Sequence, residues 1–99
     1  MYYTYAMAMI WGGDREEHLA RHDVTIAMAQ EAEADPKAVR LVPDPASISG
    51  AGIRTIGHSA SFGDLLSVLS YIDEDGVEQG STAYLAKGKF RRYYHEGQE

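Results

Sequence analysis

The chain has 99 residues, a formal net charge of −6 and no cysteine. This length supports one hydrophobic core, so we expect residues 1–99 to form a single domain. The missing cysteines exclude disulfides, a thiol nucleophile and thiolate metal sites, and the negative charge disfavours unassisted binding to nucleic acid or anionic lipid. The N-terminal apolar run lacks a basic leader and is shorter than the roughly 20 residues of a membrane span, which predicts an intracellular, cytoplasmic protein.

The first third of the chain predicts a strand followed by a helix. Residues 2–11 alternate between two apolar faces, as a central strand does, and two glycines end the run. Acids then follow Asp14 in a first helical turn, and no helix breaker occurs before Asp35, which predicts one helix of about five turns over 14–35. The competing interpretation makes residues 23–30 a strand with alternate side chains inward.

The middle of the chain predicts two strands and a second helix. Residues 38–42 read as a short strand, which Pro43 and Pro45 end because proline lacks the ladder donor. Residues 43–52 form a loop, and residues 53–58 read as another strand. The sequence from Ser61 to Asp64 is similar to a capping box, and the apolar side chains that follow it predict a helix through Ile72.

The last quarter predicts a hairpin. An acidic turn over 73–76 precedes two short segments, 81–86 and 89–94, that flank Gly88, whose positive φ suits a hairpin turn. The predicted order is β-α-β-β-α-β-β. This order indicates an α+β domain with a mostly antiparallel sheet of about five strands and two helices on one face.

Two short motifs are considered and set aside as catalytic or metal sites. On a helix, His18 and His22 would share a face with Asp14, but a closed metal site also needs a fourth ligand. The sequence GHSAS from Gly57 to Ser61 resembles the nucleophile elbow of the α/β-hydrolases, except that Ser61 replaces the second glycine. We therefore predict no enzyme, metal or cofactor, and an enzyme using His18, His22, His58 or His95 ranks third among the hypotheses.

A basic and aromatic segment, KGKFRRYYH, occupies residues 87–95. Cations paired with aromatic rings are typical of proteins that bind single-stranded nucleic acid. In a strand, however, alternate residues point to opposite faces, which separates the rings of this segment, and cations on an edge strand discourage aggregation. Direct nucleic-acid binding is therefore the alternative hypothesis, with these candidate residues: Lys87, Lys89, Arg91, Arg92 and Tyr93.

Acidic side chains dominate two other segments. Residues 14–35 contain seven acids against two arginines, and residues 73–78 contain four acids and no base. Carboxylates arranged in this way can replace phosphates on the basic surface of a nucleic-acid-handling complex. We therefore predict a small, non-enzymatic interaction protein of the phage or mobile-element inhibitor class, such as anti-CRISPR proteins and DNA mimics. Its predicted partner is a protein with a basic surface, and the candidate contacts are Asp14, Glu16, Glu17, Asp73, Glu74 and Asp75.

Overall fold

The computed structural model describes residues 9–97, so most of the strand predicted over 2–11 lies outside the described residues. The elements, in chain order, are α1 (Arg15–Ala20), α2 (Ile26–Ala34), β1 (Val39–Leu41), β2 (Ile53–Ser59), β3 (Asp64–Ile72), β4 (Glu78–Leu85) and α3 (Lys89–Glu96). The predicted strands at 38–42 and 53–58 are confirmed as β1 and β2. No helix within residues 9–97 is long and apolar enough to cross a membrane.

The four named strands form one antiparallel sheet in the order β1-β2-β3-β4. The predicted α+β class and antiparallel sheet are confirmed, with four strands among the described residues rather than about five. Ile10 adds one parallel bridge outside β4, where its N–H donates to the carbonyl of Glu78 and its carbonyl accepts from Gly80. Loop 43–52 joins β1 to β2, as predicted.

Helices cover both faces of the sheet, whereas the sequence predicted two helices on one face. Leu65 and Leu66 are neighbours on β3 and therefore point to opposite faces. Leu66 packs with α1 and α2 in the larger core cluster, whereas Leu65 packs in a smaller cluster that α3 covers. Gly57 allows α2 to lie close to β2, since a Cβ at this position would stand 2.0 Å from the carbonyl oxygen of Ala32.

The single helix predicted over 14–35 is wrong, because the chain breaks it into α1 and α2. Asp23 adopts a φ of 61°, in the left-handed region that aspartate tolerates better than most residues. The N–H of Val24 donates to the carbonyl of Leu19 over 3.2 Å, a bond that closes a helix end. A local turn therefore overrides a periodicity that continues through it.

The alternative prediction of a strand over 23–30 is also wrong. Thr25 caps α2, since its Oγ1 accepts from the N–H of Met28 over 3.1 Å. Threonine at this position satisfies a helix donor that has no partner within the helix. The β-branched run that suggested a strand is therefore the entry to α2, which begins at Ile26.

The helix predicted over residues 61–72 is wrong, because these residues form the turn before β3 and then β3 itself. Gly63 has a φ of 85°, and its N–H donates to the carbonyl of Ser59 in the turn. β3 is a central strand with buried residues on both faces. Such a strand reads as a continuous apolar run, which periodicity alone does not distinguish from a buried helix.

The hairpin predicted around Gly88 is half wrong. The first segment belongs to β4, but the predicted strand 89–94 lies in helix α3. Phe90 and Tyr94, four residues apart, pack against the smaller core cluster, while Arg92 remains exposed. A strand would place Arg92 on the same face as these two rings, whereas the helical period separates them.

Candidate nucleic-acid interface

A cleft of about 670 Å³ opens where β4 ends and α3 begins. Its walls come from β2, β4, the linker before α3 and the turn after α1. We name it the Arg54 cleft, and its lining residues are His22, Arg54, Tyr84, Leu85, Lys87, Gly88, Lys89 and Phe90. Its volume falls within the range of about 300–1,000 Å³ that is usual for ligand sites.

Arg54 is a buried cation at the base of this cleft. Arg54 is 3% exposed, and its Nε donates to Oδ1 of Asp44 over 2.9 Å. The guanidinium carbon lies 3.8 Å from the ring centroid of Phe90, and Nη2 donates to the hydroxyl of Tyr84 over 3.4 Å. An ion pair, a ring face and a hydroxyl therefore fix the orientation of the guanidinium.

Asp44 comes from the loop between β1 and β2 and is also buried. Its backbone N–H donates to the carbonyl of Gly52, and its Oδ1 also accepts from the N–H of Ala46. Burial acts to raise the pKa of Asp44, but the hydrogen bond from Arg54 and that from Ala46 lower the pKa below its ordinary value. Burial likewise acts to lower the pKa of Arg54, and its bonds to Asp44 and Tyr84 raise the pKa overall. The pair is therefore ionised.

Two exposed lysines and an imidazole complete the cleft. Lys87 and Lys89 lie on either side of Gly88, and Lys89 Nζ is 5.4 Å from the ring centroid of Phe90. The ring of His22 lies 5.5 Å from that of Tyr84. The lysines face solvent, so they can meet an anion at little desolvation cost, and the rings offer apolar surface beside them.

The outer face of α3 continues the basic surface. Lys89, Arg92 and Tyr93 are exposed and recur at the helical spacing, so cations and a ring share one face that a strand would have divided. Arg91 lies elsewhere, where it donates to Asp64 Oδ1 over 3.0 Å. Four of the five predicted nucleic-acid contacts therefore lie on the exposed surface at the cleft and α3, and Arg91 is engaged within the fold.

The candidate acids lie toward the other end of β4. Asp14, Glu16 and Glu17 are exposed at the start of α1. Arg15, in the same turn, donates from Nη1 to the carbonyl of Ser81 over 3.4 Å. The turn acids Asp73, Glu74 and Asp75 directly precede the start of β4, whereas Arg15 reaches the middle of this strand.

Asp73 holds the turn between β3 and β4 together. Its carboxylate accepts from the N–H groups of Asp75 and Val77 and from Nε2 of Gln79, each over 2.9 Å. The bond from Gln79 and those from the backbone lower the pKa of Asp73. Glu74 and Asp75 are exposed instead, so only these two side chains of the turn are presented mainly to solvent.

Other acids of the predicted acidic helix bond within the fold. Glu31 accepts from the hydroxyls of Ser59 and Ser61 over 2.8 and 2.7 Å. Asp35 accepts from the hydroxyl of Tyr94, and burial together with this bond raises the pKa of Tyr94 to about 12. Counting acids along residues 14–35 therefore overstates the acidic surface, because sequence does not reveal these partners.

The motifs set aside as chemical sites gain no support from their geometry. His18 lies on α1 and His22 lies beyond its end, with ring centroids 6.2 Å apart. Within residues 9–97, no group of three or more histidine, aspartate or glutamate side chains is arranged to hold a metal. GHSAS connects two strands rather than a strand and a helix, which removes the structural context of a nucleophile elbow.

The sequence analysis did not identify the partners of Arg54. The one signal available was a charged residue inside the apolar strand β2. Asp44, Tyr84 and Phe90 come from three other parts of the chain, so only tertiary folding joins them. The chain matches no protein-family model, and no curated protein or solved structure is detectably similar to it.

Proposed function

We propose that this protein binds single-stranded nucleic acid through the Arg54 cleft and the exposed face of α3. The observation that carries this proposal is the convergence of cations and rings on one cleft in a chain of net charge −6. Proteins that bind single strands combine a positive groove along the backbone with aromatic side chains on which bases stack.

Each part of the cleft has a role in this proposal. Lys87 and Lys89 pair with phosphates, and Tyr93 on the outer face of α3 stacks on a base. The ion pair of Arg54 with Asp44 holds the base of the cleft in place. Unpaired bases reach such rings readily, whereas bases in a duplex are stacked on one another, which favours a single strand over a double helix.

The acidic net charge does not rule this function out, since opposite charges occupy different ends of β4. Gln79 and Leu85 mark these ends and are about 20 Å apart at the usual rise of a strand. Exposed charges are screened over about 8 Å at physiological salt. A phosphate at the cleft is therefore attracted by the local cations much more strongly than it is repelled by the distant acids.

The test is fluorescence anisotropy with labelled single-stranded RNA and DNA of about 12 nucleotides, at two salt concentrations. We expect binding that weakens with salt and that Lys87→Gln/Lys89→Gln reduces about tenfold or more. Lys37→Gln, at an exposed lysine that does not line the Arg54 cleft, is the control and should bind like the wild type. Equal binding by all three proteins, or no binding at low salt, contradicts the proposal.

We also propose a second function, carried by a different observation. The exposed acids Glu74 and Asp75 lie on the turn before β4, directly after the exposed apolar side chains of Tyr71 and Ile72. This supports a non-enzymatic interaction protein, of the inhibitor class, that binds a basic protein surface. Strong, salt-sensitive binding to bare oligonucleotides favours the first function, whereas binding to basic proteins without oligonucleotide binding favours the second.

A further inference from the structure

Three large apolar side chains are exposed at the end of β4 that lies away from the cleft. Ile10 is 51% exposed, Tyr71 is 42% exposed and Ile72 is 50% exposed. Gln79 pairs with Ile10 on one side and with Tyr71 on the other, so Ile10, Gln79 and Tyr71 form one row across neighbouring strands. Paired residues share a face of the sheet, so Ile10 and Tyr71 flank Gln79 on the same face.

The row lies on the sheet face that α3 covers only in part. Helix α3 packs over Ile56 and Leu65, toward the cleft end. Tyr71 and Ile72 also line a groove of about 550 Å³ beside loop 43–52, together with Ala46 and Leu69. Exposed apolar side chains that adjoin a groove are typical of an interaction surface.

The charge around this row is negative. Glu74 and Asp75 are exposed at its edge, and Asp73 joins the turn to Gln79. The cations nearby already have partners, since Arg40 pairs with Glu78 over 2.8 Å and Arg15 donates to the carbonyl of Ser81. An approaching group therefore meets apolar side chains bordered by carboxylates.

Ile72, the residue after Tyr71 on β3, points to the opposite face of the sheet. We propose that Ile10, Tyr71, Gln79 and the turn acids, here named the acidic-end patch, dock a cationic amphipathic segment of a partner protein. Apolar side chains of that segment cover Tyr71 and its neighbours, and its lysines or arginines pair with Glu74 and Asp75. An apolar centre with a charged rim is the usual organisation of protein interfaces, and rim charge selects the sign of the partner. This deepens the second function above and is independent of nucleic-acid binding.

A second copy of this chain fits the patch less well than a cationic partner. In a symmetric dimer the same surface meets itself across the two-fold axis. The carboxylates of one turn would then approach those of the other without added cations. Nucleic acid fits least, because its phosphates carry the same charge as the patch.

The experiment is an NMR titration of the ¹⁵N-labelled chain with a synthetic amphipathic peptide of about 16 residues. Lysines occupy one face of this peptide and leucines occupy the other. The same peptide with Glu in place of Lys is the matched probe. We expect the cationic peptide to shift amide signals at Ile10, Tyr71 and residues 73–79. Ile10→Ser/Tyr71→Ser should weaken its affinity about tenfold or more, as loss of an interface centre does, and Glu74→Gln/Asp75→Asn should weaken it about threefold.

Matched variants separate this surface from the rest of the molecule. Asp73 is kept in every variant because its three hydrogen bonds hold the turn. Asp14→Asn/Glu16→Gln, which neutralises exposed acids off the patch, should bind like the wild type. Circular dichroism melting within a few degrees of the wild type qualifies the Ile10→Ser/Tyr71→Ser variant, and Glu74→Gln/Asp75→Asn provides the decisive comparison if that variant is less stable.

Other outcomes overturn the proposal in distinguishable ways. Shifts confined to the start of α1 would place the partner elsewhere while leaving the second function intact. No shift with the cationic peptide would remove both the patch and the second function. Equal affinity for the Glu peptide would contradict the role of charge. A concentration-dependent dimer in sedimentation, lost in Ile10→Ser/Tyr71→Ser, would identify a second copy as the occupant instead.

Discussion

The two ends of strand β4 carry opposite charge and are built in different ways. At the Arg54 cleft the central cation is buried, paired with Asp44 and covered by the ring of Phe90. At the acidic-end patch, Glu74 and Asp75 are exposed on a turn that Asp73 holds together. The Arg54–Asp44 pair of the cleft is therefore part of the packed interior, whereas Glu74 and Asp75 of the patch lie on the surface.

This difference determines how each end responds to substitution. A buried charge has lost its hydration, so removing its partner leaves it without compensation. An exposed charge keeps its hydration, and neutralising it changes stability little. Substitutions of Arg54 or Asp44 should therefore alter folding and binding together, while substitutions of Glu74 or Asp75 should alter binding alone.

The largest expected effect is at the buried pair. Asp44→Asn should lower the free energy of unfolding by about 3–5 kcal/mol, because it leaves Arg54 buried without a counter-ion. Urea unfolding at pH 7 measures this loss. Asp75→Asn, at an exposed carboxylate of the other end, is the control and should change stability by less than about 0.5 kcal/mol. Similar losses in the two variants would contradict the contrast between the ends.

The same pair predicts a dependence on pH. The pKa of Asp44 is lower in the folded chain than in the unfolded chain. Its stabilisation is therefore fully present above the unfolded pKa, about 3.9, and is lost as pH falls through the folded pKa. The difference in unfolding free energy between the wild type and Asp44→Asn should shrink below about pH 4. A constant difference at every pH would argue against the ion pair as its cause.

The next effect concerns the attachment of residues 9–11 at the acidic end. A Cβ at Gly80 would lie 2.5 Å from ring atoms of Trp11. Gly80→Ala should therefore displace Trp11 and lower the free energy of unfolding by about 1–3 kcal/mol, the usual cost of overpacking. Tryptophan fluorescence reports the displacement directly, since Trp11 is the single tryptophan. Ser81→Ala, on the same strand, is the control. A glycine control such as Gly76→Ala is unsuitable because Gly76 has a φ of 79°.

A smaller effect separates binding from folding on α3. Tyr93 is exposed and lies on the outer helix face, so Tyr93→Ser should leave the melting temperature within a few degrees of the wild type. It should weaken the binding of a single-stranded oligonucleotide by about 1 kcal/mol, at the low end of base stacking. Arg92→Gln on the same face should instead reduce the salt dependence of binding. Wild-type affinity in both variants would restrict the interface to the cleft.

The smallest effect concerns a buried carboxylate near the acidic end. Glu33 accepts weakly from the N–H of Met9 and from Nε1 of Trp11, and burial raises its pKa. A raised pKa gives stability that is present below the unfolded pKa and is lost as pH rises through the folded pKa. Glu33→Gln should therefore match the wild type near pH 4 and exceed it at pH 7, by less than about 1 kcal/mol after solvent screening. Thermal melts at the two pH values check the sign.

The sequence predicted the fold class and the parts of the chain whose signals are local. Pro43 and Pro45 end β1 because proline lacks a donor. The predicted acidic turn is also present, with Gly76 at a positive φ, although it joins two strands rather than a helix and a strand. Composition also excluded disulfides and thiolate sites. The conflicting charges of residues 73–78 and 87–95 were visible from sequence as well, and they supplied both functional hypotheses.

The errors fell where neighbours in space decide the structure. β3 has apolar residues on both faces, and only the helices on either side explain why it is a strand. Residues 89–96 form a helix because Phe90 and Tyr94 reach the same core cluster at a spacing of four.

By itself, the sequence determined an acidic α+β domain with an isolated basic and aromatic segment near its end. Only the tertiary structure decided that this segment is a helix, that Asp44 and Phe90 enclose Arg54, and that the two charged regions lie at opposite ends of β4. The physical reason is that periodicity and turn chemistry act over a few residues, whereas burial and ion pairing join residues far apart in the chain.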